Sequence, residues 1–301
     1  MAARTSRIQL GTGAVILPWH NPLRVAVEAA MLDNLSDGRL LLGFGRGLAR
    51  KEYDTWQLDM NATRQYFNES AKMIVDALET GVAKFDGEAI KQVPTEIRPS
   101  PFKSFKDRIY CVAMSPDSLP IAAEIGAVMM MFSQVPWEQK VEDIDEYRRL
   151  FRKMQGREPQ PVITQDFTYC DTNAERAREK TLDLAKKYFI TIIDHYDMDK
   201  NHFAKTRGYQ FYDNAAKALQ ELGMEKVAEG FADIQASGTP DQILRILEKR
   251  REIIGDYQFR CTFRYAGLPL DEAEKSMRLF AKEVLPVLKS WTYEPKKAAA
   301  E

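Results

Sequence analysis

The sequence predicts an α/β protein built on a parallel sheet, and three observations carry that prediction. Apolar runs that read as strands alternate along the chain with amphipathic runs that read as helices. The first strand, helix and second strand follow one another within about forty residues, as in a βαβ unit. The composition is that of an ordinary globular chain: 301 residues, 45% hydrophobic, 29% charged, formal net charge −1. A doubly wound fold and a (β/α)8 barrel both satisfy this pattern.

In order, Arg7 to Leu17 reads as a strand around Gly11-Thr12-Gly13-Ala14, where the glycines suggest a bulge or a ligand close to the backbone. A helix follows with Asn21 as N-cap, Pro22 at its first position, and a stripe of Leu23, Ala26, Val27, Ala30, Met31 and Leu35. Gly38 to Gly47 is the second strand. The next helix is expected from Asn61, with Phe67, Ala71, Ile74, Val75 and Leu78 on one face and Gly81 as its stop. Phe85 to Glu88 looks like a hairpin turn, and Pro94, Pro99 and Pro101 mark an extended connection. Strands are then expected at Arg108 to Met114, Ala127 to Phe132, Pro161 to Tyr169 and Tyr257 to Tyr265. Helices are expected at Ser115 to Ile125, Glu138 to Met154, Asn173 to Tyr196, Gln242 to Ile254 and Asp271 to Leu288. Lys200 to Ser237 reads as irregular or weakly helical, long enough to be a functional excursion, and Lys296 to Glu301 as a frayed tail.

Charge and composition exclude several classes. A near-neutral balance without a basic cluster gives no case for nucleic acid or a membrane surface. No apolar run approaches the ~20 residues of a bilayer span, and Met1 to Arg7 lacks a signal-peptide core. Three dispersed cysteines, Cys111, Cys170 and Cys261, suit a reducing, cytoplasmic compartment and offer no metal-ligand spacing. Cys111 and Cys261 fall mid-strand, as packing residues rather than nucleophiles. With three histidines in all, a polyhistidine metal site is not expected, and His195 and His202 read as residues near a solvated helix end.

The candidate site is centred on Gly45-Arg46-Gly47 at the end of the second strand. Arg46 offers a fork of donors suited to a phosphate or carboxylate. A plain glycine-rich connection with a surface arginine is the competing reading. Ser115-Pro116-Asp117-Ser118, at the end of the third main strand, adds hydroxyl and amide donors, with ordinary capping by Ser115 as its competitor. Ligands of parallel α/β folds sit at such strand ends. Gly43, Gly45 and Gly47 lack the spacing of a dinucleotide fingerprint, and with the next helix expected only near Asn61, no helix N-terminus faces this loop. An anion cradle without an evident acid, base or nucleophile set suits cofactor chemistry. Met129, Met130, Met131 and Phe132 could form an apolar wall or simply core.

Taken together, the runs Leu10 to Pro18, Asn21 to Arg24, Leu32 to Arg39 and Gly43-Phe44-Gly45-Arg46-Gly47-Leu48 resemble the flavin-dependent, bacterial luciferase-like monooxygenases, above all the luciferase alpha-subunit branch. Asp59-Met60-Asn61, Ser115 to Ser118, Thr206-Arg207-Gly208-Tyr209 and Gly238-Thr239-Pro240 extend the resemblance over nearly the whole chain. It implies a TIM (β/α)8 barrel over 1–295, with the excursion at about 200–237 covering the active site. It implies reduced FMN (FMNH2) supplied by a separate flavin reductase, and transfer of oxygen from O2 to an aldehyde, ketone, alkane or terpene-like substrate. It also implies a homodimer. Arg46, Ser115 and Ser118 would meet the flavin phosphate, and Gly47, Leu48 and Met114 would lie about the flavin. Gly13-Ala14 matches the place of a non-prolyl cis peptide beneath the ring.

The chain departs from that pattern. It begins at what would be the third barrel strand, so the barrel is expected to lack its first two strands and the histidine-bearing loop. No catalytic residue can be assigned; His20 is the nearest substitute, Gly45 stands in place of a reactive cysteine, and Val27 replaces an acidic residue near the dimer contact. A non-catalytic flavin-binding subunit or remnant is the alternative, with a flavin-using reductase acting without oxygen as a third reading.

Overall fold

The computed structural model describes residues 1–198, 200, 203–206, 209 and 213–292. The chain divides into two units. The first comprises 1–130, 146–160 and the described residues of 203–211; the second comprises 131–145 and the described residues of 161–202 and 212–292.

In the first unit, β1 (Leu10–Gly11) and β2 (Val15–Ile16) both run parallel to β3 (Leu40–Gly45). β3 pairs in parallel with β6 (Ile109–Val112), and β6 with β7 (Val128–Phe132). The expected single strand from Arg7 to Leu17 is therefore two short strands. Between them the Gly13–Ala14 peptide is cis, and Thr12 Oγ1 substitutes for the ladder by accepting from Gly43 N at 2.7 Å. Leu17–Trp19 closes the run as a 3-10 turn.

Helix α1 (Pro22–Leu35) starts where expected, with the Asn21 side chain accepting from Arg24 N. Its buried face differs from the expected stripe. Val25, Ala26, Ala29, Ala30 and Asp33 are buried, whereas Met31 and Leu35 are 47% and 65% exposed. Asp33 turns the helix: its carboxylate pairs with Arg108 and accepts from Phe102 N, so a charge, not a leucine, defines the inner face.

A short helix, α2 (Arg50–Thr55), follows the arginine loop at once, which corrects the expectation that the next helix waits until Asn61. Asp59, not Asn61, caps the following 3-10 turn, which leads into α3 (Thr63–Thr80). Phe67, Ala71, Met73, Ile74, Ala77 and Leu78 bury one face of α3, and Gly81 ends it at φ 77°. The hairpin is present as β4 (Val82–Asp86) and β5 (Lys91–Glu96). The helix expected from Ser115 is a 3-10 turn, Pro116–Ser118, followed by α4 (Leu119–Glu124). Met129, Met130 and Met131 are at most 2% exposed, so they are core.

Helix α5 (Val141–Gln155) has residues in both units. In the second unit β8 (Val162–Phe167) pairs in parallel with β9 (Tyr257–Thr262) through six residue pairs. Around them lie α6 (Ala174–His195), capped by Asn173, and α8 (Pro240–Ile254), opened by a full capping box between Thr239 and Gln242. The stretch read as irregular contains α7 (Asp213–Ile234), interrupted by Gly223 at φ 78° and ψ 157°. Beyond that break Ala228, Phe231 and Ala232 pack against Ala185 of α6, and this burial outweighs the poor helix propensity of Gly230. The expected closing helix is two, α9 (Leu270–Glu283) and α10 (Leu285–Ser290), broken where Pro286 removes an amide donor. His202, Arg207, Gly208 and the tail from Lys296 lie outside the described residues.

Candidate functional site

The site lies in the first unit, where β3 runs out into the arginine loop. Gly43 is required by close packing: a Cβ there would sit 2.1 Å from Tyr110 Cζ. Gly47 is required twice over, by its φ of 87° and because a Cβ would meet Ile16 at 2.8 Å and the Tyr53 hydroxyl at 3.0 Å. Ile16 of β2 thereby seats the loop beside the Gly13–Ala14 peptide, and Ala14 lies under Gly45.

Two tyrosines hold the loop from behind. The Tyr53 hydroxyl, on α2, donates to the Arg46 carbonyl. Tyr209 donates to the Gly47 carbonyl at 3.1 Å, its hydroxyl is 3.2 Å from Thr63 Oγ1, and its ring lies 3.7 Å from the Arg46 guanidinium carbon. Burial raises the Tyr53 pKa, and the neighbouring Tyr209 raises it further, so Tyr53 stays a neutral donor.

A second cation completes the cradle. Arg64, in the first turn of α3, donates from Nη1 to Ser118 Oγ at 3.2 Å, and Ser118 Oγ lies 3.0 Å from Ser115 Oγ. Burial lowers the Arg64 pKa, and the positive charge of Arg46 lowers it again, with Asp117 opposing. Two guanidiniums therefore feel each other's charge beside two hydroxyls. Arg64 Nη2 is buried without a hydrogen-bond partner, as is Asn68 Oδ1 one helical turn further along. The buried Arg64 donor is costly unless something accepts from it, whereas the Asn68 oxygen needs a donor. A doubly charged phosphate meets the need: it offers acceptors to both arginines and offsets their repulsion.

The structure thus joins Ser115 and Ser118 to Arg64, on which the charge of Arg46 also acts, and places the Gly13–Ala14 peptide beside the loop that carries Arg46 and Gly47. Ser115 makes no side-chain cap, contrary to its expected role; its hydroxyl faces Ser118 instead. Leu48 is half-buried and Met114 buried. His20 is exposed at the end of its turn, with its carbonyl accepting from Tyr66. Burial pushes all three cysteine thiols up to about 12, so none is a nucleophile near neutral pH. Sequence reasoning missed Arg64, Tyr53 and Asn68, and gave Tyr209 no role. The one available signal for Arg64 was its place just after Asp59-Met60-Asn61, in the first turn of a helix.

Comparison with known proteins places the chain in a family. The family described as luciferase-like monooxygenase matches residues 1–257. The alkanal monooxygenase alpha chain of Photobacterium leiognathi is 27% identical, over 95% of this chain and 81% of its own. A monooxygenase from Streptomyces bottropensis superposes with a TM-score of 0.77 at 25% identity, over 95% of this chain and 80% of that one. A coenzyme F420-dependent tetrahydromethanopterin reductase from Methanopyrus kandleri shares the fold alone, with a TM-score of 0.71 at 19% identity, over 95% and 85% of the two chains. These neighbours assign the α/β architecture to the luciferase-like TIM-barrel type.

Proposed function

This chain belongs to the luciferase-like monooxygenase family, and from that premise we propose that it is an FMN-dependent monooxygenase. Its cradle binds the phosphate of reduced FMN delivered by a separate reductase. Its substrate is a small, largely apolar aldehyde, ketone, alkane or terpene-like molecule. The observation that carries this reading is Arg64, bonded to Ser118 and feeling the charge of Arg46, with its Nη2 buried and unmet. When bound, the reduced flavin supplies the electrons that activate O2 for insertion of one oxygen atom into the substrate. The protein's own part is to hold and orient. Arg46 and Arg64 neutralise the phosphate, Ser115 and Ser118 donate to it, and Gly13, Ala14, Gly47, Leu48 and Met114 line the approach to the ring. The three free cysteines suit a cytoplasmic setting. A second copy of the chain would cover Met31 and Leu35 of α1 in a homodimer.

The test is a binding titration with FMN and riboflavin, then oxygen consumption with reduced FMN and a long-chain alkanal. Arg46→Ala should weaken FMN by roughly thirtyfold, the worth of a charge-assisted hydrogen bond, and leave riboflavin unchanged. Equal weakening of both would refute the phosphate role. FMN binding without oxygen consumption would favour a non-catalytic flavin-binding subunit. Since an F420-dependent protein shares the fold, tight binding of F420 with none of FMN would favour a reductase acting without oxygen.

A further inference from the structure

The two arginines of the cradle come from different elements, and one side chain touches the neighbours of both. Tyr209, fully buried, is 146 residues beyond Thr63 in sequence. Its hydroxyl donates to the Gly47 carbonyl, immediately after Arg46, and lies 3.2 Å from Thr63 Oγ1, immediately before Arg64. Its ring covers the Arg46 guanidinium at 3.7 Å. The Tyr53 hydroxyl, which holds the Arg46 carbonyl, is 3.5 Å from that of Tyr209.

Left to themselves, two like charges separate, and a loop with glycine at positive φ lets them. An electron-rich ring face against Arg46 offers that cation a partner which does not occupy its edge donors. Fastening Gly47 and Thr63 to one hydroxyl fixes the spacing of the loop and of α3. We propose that Tyr209 is a positioning residue for the anion site: it presets the distance and angle between Arg46 and Arg64, so that a terminal phosphate is met by a formed cradle. The proposal rests on the reading of the cradle as a flavin-phosphate site. Preorganisation of this kind raises affinity by removing an ordering cost that the ligand would otherwise bear. The benefit is specific to the phosphate, because riboflavin makes no use of the cradle. Reciprocity also follows: whatever Tyr209 adds to phosphate affinity, bound phosphate adds to the hold on Tyr209.

The experiment measures the Kd of the intact protein for FMN and for riboflavin in wild type, Tyr209→Phe, Tyr209→Leu and Arg46→Ala, with the thermal midpoint of each unliganded protein as the folding control. Tyr209→Phe keeps the ring and loses the hydroxyl; FMN affinity should fall about threefold. Tyr209→Leu loses both and should fall about tenfold. Riboflavin should bind all variants alike. A parallel loss of FMN and riboflavin in the Tyr209 variants, or unchanged FMN affinity, overturns the positioning role. If Arg46→Ala loses FMN selectively while the Tyr209 variants do not, only this inference fails. If Arg46→Ala is not selective either, the phosphate reading itself fails. Should Tyr209→Leu not fold, Tyr209→Phe decides, since loss of FMN selectivity on deleting one hydroxyl is not an effect of global instability.

Discussion

Arg250 in the second unit is buried and Arg64 in the first half-buried, and they meet opposite surroundings. Arg250 is 1% exposed and forks onto Asp166, with Nη1 at 2.9 Å and Nη2 at 2.6 Å from its oxygens. Asp166 accepts in addition from Ser133 Oγ and Ala236 N, and Thr164 takes a second bond from Arg250. The charge is answered by a carboxylate within the protein, although Nε is buried without a hydrogen-bond partner. Arg64 has one hydroxyl for a partner, a second arginine for a neighbour, and a buried Nη2 without an acceptor. A buried cation matched by a carboxylate holds a fold together, whereas one with no carboxylate bonded to it, beside another cation, offers its charge to a ligand. The same residue type thus serves two purposes, and the local supply of negative charge separates them.

That contrast breaks most visibly in the second unit. Asp166→Asn strands a buried guanidinium and should cost about 3–5 kcal/mol, lowering the thermal midpoint by on the order of 10 °C. Replacing both partners, Arg250→Met with Asp166→Leu, should recover part of the loss, though not all, because Ser133 and Ala236 then lose their acceptor. A midpoint unmoved by Asp166→Asn would show that the pair is not structural. In the first unit Arg64→Met should do the reverse. FMN affinity should fall by about 2 kcal/mol, roughly thirtyfold. The unliganded midpoint should hold or rise, because a half-desolvated charge and its repulsion from Arg46 are gone. A destabilisation comparable to that of Asp166→Asn would erase the distinction. The smallest effect sharpens it. Inorganic phosphate at about ten times its Kd should add about 1.4 kcal/mol to wild-type stability and nothing to Arg64→Met. Raising the salt concentration should weaken that gain while leaving the closed pair in the second unit unaffected.

Much of the scaffold was legible from local chemistry. Asn21, Asn173 and Thr239 cap their helices through the bonds their side chains are suited to make, and Gly81 ends α3 in the left-handed conformation that favours glycine. The inner face of α1 was not legible. Ala26 and Ala30 of the expected stripe are buried, but Met31 and Leu35 are exposed, because the helix turns Asp33 inward to meet Arg108, a partner 75 residues away. Helix α7 lies in the stretch read as irregular or weakly helical: Gly223 breaks it, and the part beyond Gly223 is held by packing on α6.

By itself the sequence determined the alternation of strands and helices, the caps that bound several of the helices, and the glycine-flanked arginine at the end of β3. These follow from interactions within a few residues, where propensity, capping and chain reversal act. Only the tertiary structure decided that Arg64 joins Arg46, that Ser115 turns to Ser118 instead of capping, and that Tyr209 secures the neighbours of both arginines. The physical reason is that repulsion between two cations opposes their meeting, so no local preference could announce it. Their approach is imposed by the packing of α3 and by Tyr209, whose contacts reach residues far apart in the chain.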